Sequence, residues 1–442
     1  MFELAAGSKM TVALVLFLAT YVLLLALPKV RAYIALGAAA LMVVLGILPL
    51  GEVFASVEWN VILMIAGTMG VVYLFIESRM PAKMADWIID RMPDVRWAIL
   101  ALSLFAGIIS AFVDNVATVL MVAPVAMTIS KKLGISPVPA IIGIAISSNL
   151  QGAATLVGDT TSILLGNYAG LDFLDFFVFR GRVGLFFVVQ AAALVSALVL
   201  LWLFRKDRQP IHVEEKAQVD DYFPSILLGG TVLLLILASF VPSDPFTVLG
   251  LNLPGKPAIT NGLICTGVFL VGLVREFFKT GDHKVFYKSL VEIDFFTLLL
   301  LAGLFVVIGG IKEAGVVDAI ADAFHAIAGG NVFVIYTLIL WASVLLSAFI
   351  DNIPYVAAML PVVQVLASRM GVDPTLLYFG LLAGATLGGN LTPIGASANI
   401  AGLGILRKAG YEVKAGTFMK ISVPFTLAAV VTGYLLVWLI WH

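Results

Sequence analysis

Residues 110–124 read SAFVDNVATVLMVAP, with an Asp-Asn pair inside a stretch that is otherwise almost entirely apolar. The first six letters return 237 residues later as SAFIDN, at 347–352. The same offset pairs further residues without a gap: Pro124 with Pro361, Gly134 with Gly371, Pro137 with Pro374, Gly152 with Gly389, Thr155 with Thr392 and Gly158 with Gly395. Because Gly and Pro fix backbone conformation, we expect two parts of the chain to share one backbone geometry.

The composition predicts an integral membrane protein. Hydrophobic residues make up 61% of the 442 residues and charged residues only 12%, whereas a soluble domain carries about 25% charged residues. The formal net charge of −1 gives no basic surface for nucleic acid. The single cysteine, Cys265, excludes an internal disulfide and a cysteine metal centre. No cofactor is expected beyond a bound Na⁺ or a coupling H⁺.

Ten apolar segments are about long enough to cross a membrane, which takes about 20 helical residues. They are residues 10–28, 32–50, 59–77, 138–169, 183–204, 222–242, 258–275, 293–311, 374–406 and 418–440, with 138–169 and 374–406 interrupted. Two further apolar regions, 97–131 and 333–368, are broken by Asp-Asn into arms of about 17 residues, or roughly 25 Å of helix. We interpret these regions as re-entrant hairpins whose tips lie inside the membrane. The alternative is two more pairs of short spanning helices.

The distribution of Lys and Arg supports this number of crossings. With the N-terminus outside, all but six of the 26 Lys and Arg residues face inward, as the positive-inside rule requires. The six exceptions are Lys9, Arg180, Arg182, Lys256, Lys312 and Arg369. We therefore predict a multi-pass protein of a prokaryotic inner (cell) membrane, whose first helix is retained rather than cleaved as a signal peptide.

Each half of the chain then holds five crossings and one hairpin. Residues 1–204 form the first repeat, 205–221 a cytoplasmic linker, and 222–442 the second repeat. Because five is odd, the second half enters the membrane upside down. The expected fold class is an all-α polytopic membrane protein, an inverted repeat of two five-helix halves, each with a re-entrant hairpin and one discontinuous helix. Such repeats are typical of secondary transporters, while a channel is the alternative.

The four breaks predict a polar site near the middle of the membrane, since irregular backbone survives there only against protein or a water-filled cavity. The interrupted helices carry SSNLQGAATLVGDTTS (147–162) and GATLGGNLTPIGASAN (384–399). The candidate substrate- and ion-binding residues are Asp114, Asn115, Asn149, Asp159, Thr160, Thr161, Ser162, Asp351, Asn352, Asn390, Thr392, Ser397 and Asn399. Their oxygen atoms are hard ligands suited to Na⁺. We place Na⁺ at the two tips: Asp114 with Asn115, and Asp351 with Asn352.

The three aspartates each have two interpretations. Asp114 and Asp351 are predicted coupling residues, although an Asp in that position also caps the following helix. Asp159 breaks the repeat because its counterpart is Ala396. We predict a substrate or proton role for Asp159, and the alternative is a cap on the helix that starts at Thr160. Four acidic residues near span ends are expected to be solvated interface residues: Glu52, Glu58, Glu292 and Asp294.

Three stretches resemble the ion transporter superfamily, and most closely its arsenical-pump and pink-eyed-dilution P-protein branch, which is related to a class of sodium/proton antiporters. These stretches are FVDNVATVLMVAP, LVGDTTSILLGNYAGLDFLDFF and GGNLTPIGASANIAG, and the resemblance extends over nearly the whole chain. It implies an inverted repeat with two hairpins, a substrate site at their tips and gradient-driven transport.

Two departures limit what this resemblance implies about the substrate. The dicarboxylate carriers of the superfamily place Ser-Asn-Thr at each tip, where this chain has Asp-Asn-Val at 114–116 and Asp-Asn-Ile at 351–353. A carboxylate at each tip repels a dianion unless it is protonated or bound to a cation. The P-protein pattern Gly-Asp-Pro-Pro-Asn is here Gly-Asp-Thr-Thr-Ser at 158–162, so the Asp is retained but the prolines and the amide are not.

The predicted function is secondary active transport of a small inorganic ion or hydroxide, arsenite- or antimonite-like or an anion, coupled to H⁺ or Na⁺ by alternating access around the two tips. Na⁺/H⁺ antiport is the alternative that the aspartates favour at least as well, and sodium-coupled dicarboxylate or citrate transport is a further alternative. An enzyme is not expected, because the aspartates lack the YD and GxGD contexts of an intramembrane aspartyl protease.

The expected partners are the lipid bilayer and a small ion substrate. The hairpins and broken helices are expected to form a mobile unit. The helices near 10–77 and 222–311 are expected to form a scaffold, which could also supply a homodimer contact.

Overall fold

The structure, a computed structural model, is predominantly helical. It describes residues 6–210, 218–219, 221–248, 251–280 and 283–442. Residues 211–217 and 220 of the predicted linker lie outside the described residues, as do residues 1–5.

In the described residues before the linker, ten α-helices and one short β-hairpin follow one another. The helices are α1 Ala6–Ala26, α2 Arg31–Val44, α3 Val53–Ser56, α4 Trp59–Glu77, α5 Met80–Ile89, α6 Val95–Ser110, α7 Asn115–Lys132, α8 Val138–Gln151, α9 Thr160–Ala169 and α10 Leu185–Leu203. The β-hairpin pairs β1, Val178–Phe179, antiparallel with β2, Arg182–Val183.

The described residues after the linker contain ten more α-helices and a second β-hairpin. The helices are α11 Phe223–Ser239, α12 Thr260–Thr280, α13 His283–Val291, α14 Phe295–Glu313, α15 Val316–Ala328, α16 Val332–Ser347, α17 Asn352–Met370, α18 Thr375–Gly388, α19 Ser397–Lys408 and α20 Ala415–Trp441. The β-hairpin pairs β3, Phe246–Val248, antiparallel with β4, Leu251–Leu253.

Seven of the described helices are long and apolar enough to cross a membrane: α1, α4, α10, α12, α14, α17 and α20. α15 and α16 form a bent pair at 119°, which would make eight if it were one span. α6, α8, α11 and α18 are apolar but shorter. The chain is therefore an integral multi-pass membrane protein. α17, predicted as the short arm of a hairpin, has 19 residues, so its length alone does not distinguish an arm from a span.

Helix boundaries around the two Asp-Asn pairs repeat with the offset of 237 residues. α6 and α16 end at Ser110 and Ser347, and α7 and α17 begin at Asn115 and Asn352. The intervening Asp begins each second helix as its N-cap. The two regions are predicted from the sequence to share one backbone geometry, and their helices end and begin at matching positions.

The two interrupted helices also break at matching positions. α8 and α18 each run into one turn of 3₁₀ helix, and α9 and α19 begin after a residue in extended conformation. Thr155 Oγ1 donates a hydrogen bond to the carbonyl oxygen of Ala111, and Thr392 Oγ1 donates one to that of Ala348. Each threonine therefore connects a break to the adjacent hairpin and satisfies a carbonyl at the end of the hairpin's first helix.

Two sets of helices pack mainly within themselves. In the scaffold, defined as α1, α2, α4, α11, α12 and α14, α4 packs along α12 and α2 along α14. In the hairpin set, defined as α6–α9 and α16–α19, α6 packs on α8 and α16 on α18. Gly67 allows the close approach of α4 to α12, since a Cβ there would lie 2.4 Å from the carbonyl carbon of Cys265. Small residues are typical of such interfaces in membranes.

Asp221, the last residue of the predicted linker, is fixed to α12. Both Arg275 and Lys279 donate hydrogen bonds to its carboxylate, with Lys279 Nζ 2.7 Å from Oδ2. Desolvation acts against ionisation, but these hydrogen bonds outweigh it and hold the pKa of Asp221 well below its ordinary value. The end of the linker is therefore attached to the scaffold.

One glycine lies just before the second part of each broken helix, at a point where backbone packs against backbone. The two glycines, Gly158 and Gly395, occupy matching positions in the repeat. A Cβ on Gly158 would lie 2.8 Å from the carbonyl oxygen of Gly152, and one on Gly395 would lie 2.6 Å from that of Gly389. Real Cβ atoms do not approach backbone oxygen so closely, so each break requires a residue without a side chain.

We expect Gly158→Ala and Gly395→Ala each to lower the free energy of unfolding by about 1–3 kcal/mol, the usual cost of overpacking. The measurement is thermal unfolding of the detergent-purified protein, followed by tryptophan fluorescence. Gly404→Ala is the matched control in α19, because no atom lies within 4 Å of its added Cβ and Ala favours a helix by about 0.5–1 kcal/mol over Gly. Wild-type melting of both break variants would contradict the close packing of the breaks.

Candidate functional site

A cavity of about 570 Å³ lies between the breaks and the scaffold. We call it the first cavity. Its walls come from the starts of α2, α7, α9, α14, α17 and α19 and from the second half of α4. The polar residues of the lining are Arg31, Tyr73, Asp114, Asn115, Asn149, Asp159, Thr160, Glu292, Asp294, Thr297, Asn352 and Ser397. Seven of the thirteen predicted site residues are therefore brought together around one space.

Asp114 caps α7 and lines the cavity at the same time. Its Oδ1 accepts hydrogen bonds from the backbone N–H groups of Val116 and Ala117, at 3.0 and 3.1 Å. The cap satisfies donors that the start of a helix otherwise leaves exposed. Among the described residues, no Lys or Arg forms an ion pair with Asp114. Its carboxyl group therefore faces the cavity without a fixed counter-ion.

The carboxylate of Asp159 contacts both halves of the chain. Its Oδ2 accepts hydrogen bonds from Thr161 Oγ1 at 2.9 Å and from Asn352 Nδ2, at the second hairpin tip, at 3.3 Å. No side-chain cap hydrogen bond closes the start of α9, so the structure does not show the capping role that was the alternative for Asp159. A carboxylate this buried, with neutral donors as its hydrogen-bond partners, either carries a proton or attracts a cation.

Three asparagines form a chain of amides behind the cavity. Ser110 Oγ donates to Asn115 Oδ1 at 2.9 Å, and Asn115 Nδ2 donates to Asn149 Oδ1 at 3.1 Å. Asn149 Nδ2 donates to Asn390 Oδ1 at 3.1 Å, and Asn390 Nδ2 donates to the carbonyl oxygen of Ile146 at 2.8 Å. All three asparagines are buried. The chain of amides fixes the first hairpin tip and α8 against the end of α18.

Five predicted residues are close to the site but outside the cavity lining, where they hold the broken backbone or the buried network: Thr161, Ser162, Asn390, Thr392 and Asn399. Ser162 Oγ donates to the carbonyl oxygen of Gly152 at 3.0 Å. Asn399, at the matching position, donates from Nδ2 to the carbonyl oxygen of Gly389 at 3.1 Å. Ser162 and Asn399 therefore stabilise the two breaks from positions outside the cavity lining.

Asp351 differs from Asp114 in having a cationic partner. It caps α17 by accepting a hydrogen bond from the N–H of Ile353 at 3.2 Å, and its Oδ2 lies 2.5 Å from Nη1 of Arg31. Arg31 is not among the residues predicted from the sequence. It lies 320 residues from Asp351 in the chain, and nothing in its local sequence distinguishes it from Lys29. The four break sequences themselves contain no Lys or Arg, but the folded chain brings one to the second tip.

Glu292 and Asp294 are exposed, as expected for solvated residues, but they border the first cavity. Asp294 caps α14 by accepting hydrogen bonds from the N–H and Oγ1 of Thr297, at 3.0 and 2.6 Å. Within the described residues the lining thus has four carboxylates, including those of Asp114 and Asp159, and one guanidinium. This balance favours cations over anions in the cavity.

No group of three or more His, Cys, Asp or Glu side chains in the described ranges converges on a metal position.

A second cavity, of about 450 Å³, lies at the opposite end of α4. Glu58 and Val61 from the start of α4 line it, and none of the thirteen predicted residues does. There, Asn167 of α9 accepts a hydrogen bond from Asn60 Nδ2 and donates one to Glu58, both at 2.8 Å. The two cavities share no lining residue.

Comparison with solved structures agrees with this fold. The YdaH transporter of Alcanivorax borkumensis aligns with a TM-score of 0.61 at 16% identity, over 88% of this chain and 86% of that one. MtrF of Neisseria gonorrhoeae, described as one of a class of antimetabolite efflux pumps, aligns with a TM-score of 0.57 at 15% identity, over 97% and 94% of the two chains. Identities this low show the fold alone.

Comparison with protein sequences shows the family. Two uncharacterized transporters of Mycobacterium tuberculosis are each 33% identical over 437 residues, 97% of this chain and 98% of theirs. The P protein of Homo sapiens is 25% identical over 408 residues, 77% of this chain and 49% of that protein, which confirms the resemblance read from the motifs. Residues 21–384 match the family described as CitMHS, citrate transporter. The chain is a membrane transporter that belongs to the CitMHS citrate transporter family, within the ion transporter superfamily.

Proposed function

We propose that this protein is a secondary active transporter that moves a small inorganic ion or hydroxide through the first cavity, coupled to H⁺ or Na⁺. The observation that carries the proposal is the carboxylate of Asp159, which is buried between the two halves and hydrogen-bonded to Thr161 and Asn352. Gain or loss of a cation or proton at this carboxylate changes its bond to Asn352. Ion binding is thereby linked to the contact between the halves.

The proposal includes an inverted repeat of two five-helix halves, residues 1–204 and 222–442, each with a re-entrant hairpin and a discontinuous helix. The matching helix boundaries and the matching threonine hydrogen bonds support it. The two cavities approach opposite ends of α4. Movement of the hairpin set along the scaffold would expose the site first to one cavity and then to the other, which is alternating access.

Na⁺ at the first tip would be held by oxygen atoms of Asp114 and Asn115, the type of ligand that hard cations prefer. The second tip differs, because Asp351 is bonded to Arg31. Na⁺ at Asp351 and Asn352 requires that ion pair to open. The two tips, which the sequence presents as equivalent, therefore have different roles in the proposed cycle.

The charge of the lining favours some of the candidate substrates over others. Neutral arsenite or antimonite hydroxides enter an acidic cavity without electrostatic penalty. Na⁺/H⁺ antiport is the second candidate, favoured by the excess of carboxylates over cations in the described lining. The family is described as citrate transporters, but a free di- or tricarboxylate would be repelled by Asp114 and Asp159 unless protons or bound cations neutralised them. The citrate alternative is therefore less favoured for this chain.

We expect Na⁺ or Li⁺ to dissipate an imposed pH gradient in everted membrane vesicles that contain the wild-type protein, followed with a fluorescent pH reporter. Asp159→Asn should behave like vesicles without the protein, because an amide can neither carry the proton nor attract the cation. Asp244→Asn is the matched control, since Asp244 is exposed and lies outside both cavities.

If neither Na⁺ nor Li⁺ has an effect in wild-type vesicles, Na⁺/H⁺ antiport is refuted, and arsenite flux under the same pH gradient tests the first candidate. Unchanged transport by Asp159→Asn at wild-type expression, with any of these substrates, would contradict the role of Asp159. Single-channel conductance steps would contradict secondary transport altogether.

We expect a covalent link between the scaffold and the hairpin set to block transport. Asn60 of α4 and Asn167 of α9 are hydrogen-bonded at 2.8 Å, so Asn60→Cys and Asn167→Cys in a Cys265→Ala background can be joined by a short bifunctional methanethiosulfonate. Transport should stop after cross-linking and return after reduction. Each single cysteine variant, treated in the same way, is the control. Full transport by a protein shown by mass spectrometry to be cross-linked would refute the movement of the hairpin set.

A further inference from the structure

The ion pair between Arg31 and Asp351 joins the scaffold to the tip of the second hairpin. Arg31 Nη1 lies 2.5 Å from Asp351 Oδ2, and the two side chains are 22% and 20% exposed. Arg31 lines the first cavity, so the pair lies at the border between protein and the space of the cavity. Ion pairs of this partial exposure are weaker than fully buried ones, and this pair can therefore both form and open.

The guanidinium is supplied by the scaffold. Arg31 is the first residue of α2, directly after a 3₁₀ turn over Pro28–Val30, and α2 packs along α14. Tyr21 of α1 makes a second contact with the same tip, since its hydroxyl donates to the carbonyl oxygen of Pro354 at 2.5 Å. A displacement of the hairpin set relative to the scaffold would therefore break the contact between Arg31 and Asp351.

The first hairpin tip has no such partner. The carboxylate of Asp114 accepts hydrogen bonds from the backbone of its own helix. Within the described part of the chain, Arg31 is the one Lys or Arg in the lining of the first cavity. Of two carboxylates that occupy equivalent positions in the repeat, one is thus neutralised by the protein, and the other is left for a mobile cation.

We propose that Arg31 is a positioning residue that acts as a tethered counter-cation. In this conformation its guanidinium is paired with the carboxylate of Asp351, in the place that a coupling cation would take. The guanidinium must move away before Asp351 can bind a cation. The inference rests on the proposed cation-coupled function and adds an order of events to it. Asp351 becomes available only when the second tip separates from the scaffold, so cation binding at that tip is coupled to the movement of the hairpin set.

The test is the Na⁺ dependence of transport by Arg31→Gln, with Na⁺ as the probe for the coupling cation. Removal of a competing guanidinium should lower the half-saturating concentration of the coupling cation by about fivefold, the upper end for a partly exposed ion pair. Arg31→Lys keeps the charge and should stay close to wild type. Lys29→Gln removes the same charge two residues earlier, at an exposed position outside the cavity lining, and should leave the cation dependence unchanged.

The Asp351→Asn background shows whether Arg31 acts through Asp351. In that background Arg31→Gln should cause no further shift, because no carboxylate remains for the guanidinium to occupy. A purely structural role of Arg31 would lower the maximal rate in both backgrounds and leave the half-saturating concentration where it was. Arg31→Met, which keeps the packing of the side-chain stem, replaces Arg31→Gln if the latter does not accumulate in membranes.

An unchanged half-saturating concentration in Arg31→Gln overturns the inference, and so does an equal shift in the Asp351→Asn background. Cation-dependent thermal stabilisation of the purified proteins is the second measurement, because it reports binding even in variants that do not transport. At a sub-saturating cation concentration the rise in melting temperature should be larger for Arg31→Gln than for wild type. Wild-type flux and stability that respond to neither Na⁺ nor Li⁺ would overturn this inference, whereas arsenite flux driven by the pH gradient in the same vesicles would still support the proposed function.

Discussion

A backbone that leaves the helical conformation inside a membrane has no water to satisfy its N–H and C=O groups, and the central part of this protein is organised around that constraint. Asp114 and Asp351 cap the helices that follow the tips. Thr155 and Thr392 satisfy carbonyl groups at the ends of α6 and α16. The groups that meet this need are carboxylates, amides and hydroxyls, which are also the groups that bind small cations. The breaks and the candidate site therefore coincide for one physical reason.

The two hairpins and the two broken helices share matching boundaries, but the candidate chemistry lies in the differences between them. Asp159 has Ala396 as its counterpart, and Asn390 has Ala153. Asp159 reaches across to Asn352, while Asn390 completes the chain of amides that starts at the first tip. A symmetric pair of tips alone would offer two similar sites. Asp159 and Asn390, each present in only one of the two repeats, make the site between the tips asymmetric.

The fixed charges of the cavity also restrict what the family relationship implies. Residues 21–384 place the chain among the CitMHS transporters, yet the described lining carries four carboxylates and one guanidinium. Arg31, the one cationic group of that lining, is already paired with Asp351. A polyanionic substrate would need these carboxylates to be neutralised by protons or bound cations, whereas a cation or a neutral hydroxide would not. The family thus defines a transporter, and the local electrostatics support the proposal of a cation or a neutral hydroxide as its substrate.

The sequence by itself determined the membrane class, the positions of the breaks and the caps at the tips, because hydropathy, glycine geometry and helix capping act over a few residues. It also identified Asp159 as the departure from the repeat. It did not separate the residues that face the cavity, such as Ser397, from Ser162 and Asn399, which bond to the backbone behind it. In helices that are apolar all round, hydrophobic periodicity does not reveal which face meets a cavity. Only the tertiary structure decided that Arg31 meets Asp351 and that Asn352 meets Asp159, since those partners are 320 and 193 residues apart. Packing of the scaffold against the hairpin set brings the first pair together, and packing of α9 against α17 within the hairpin set brings the second pair together.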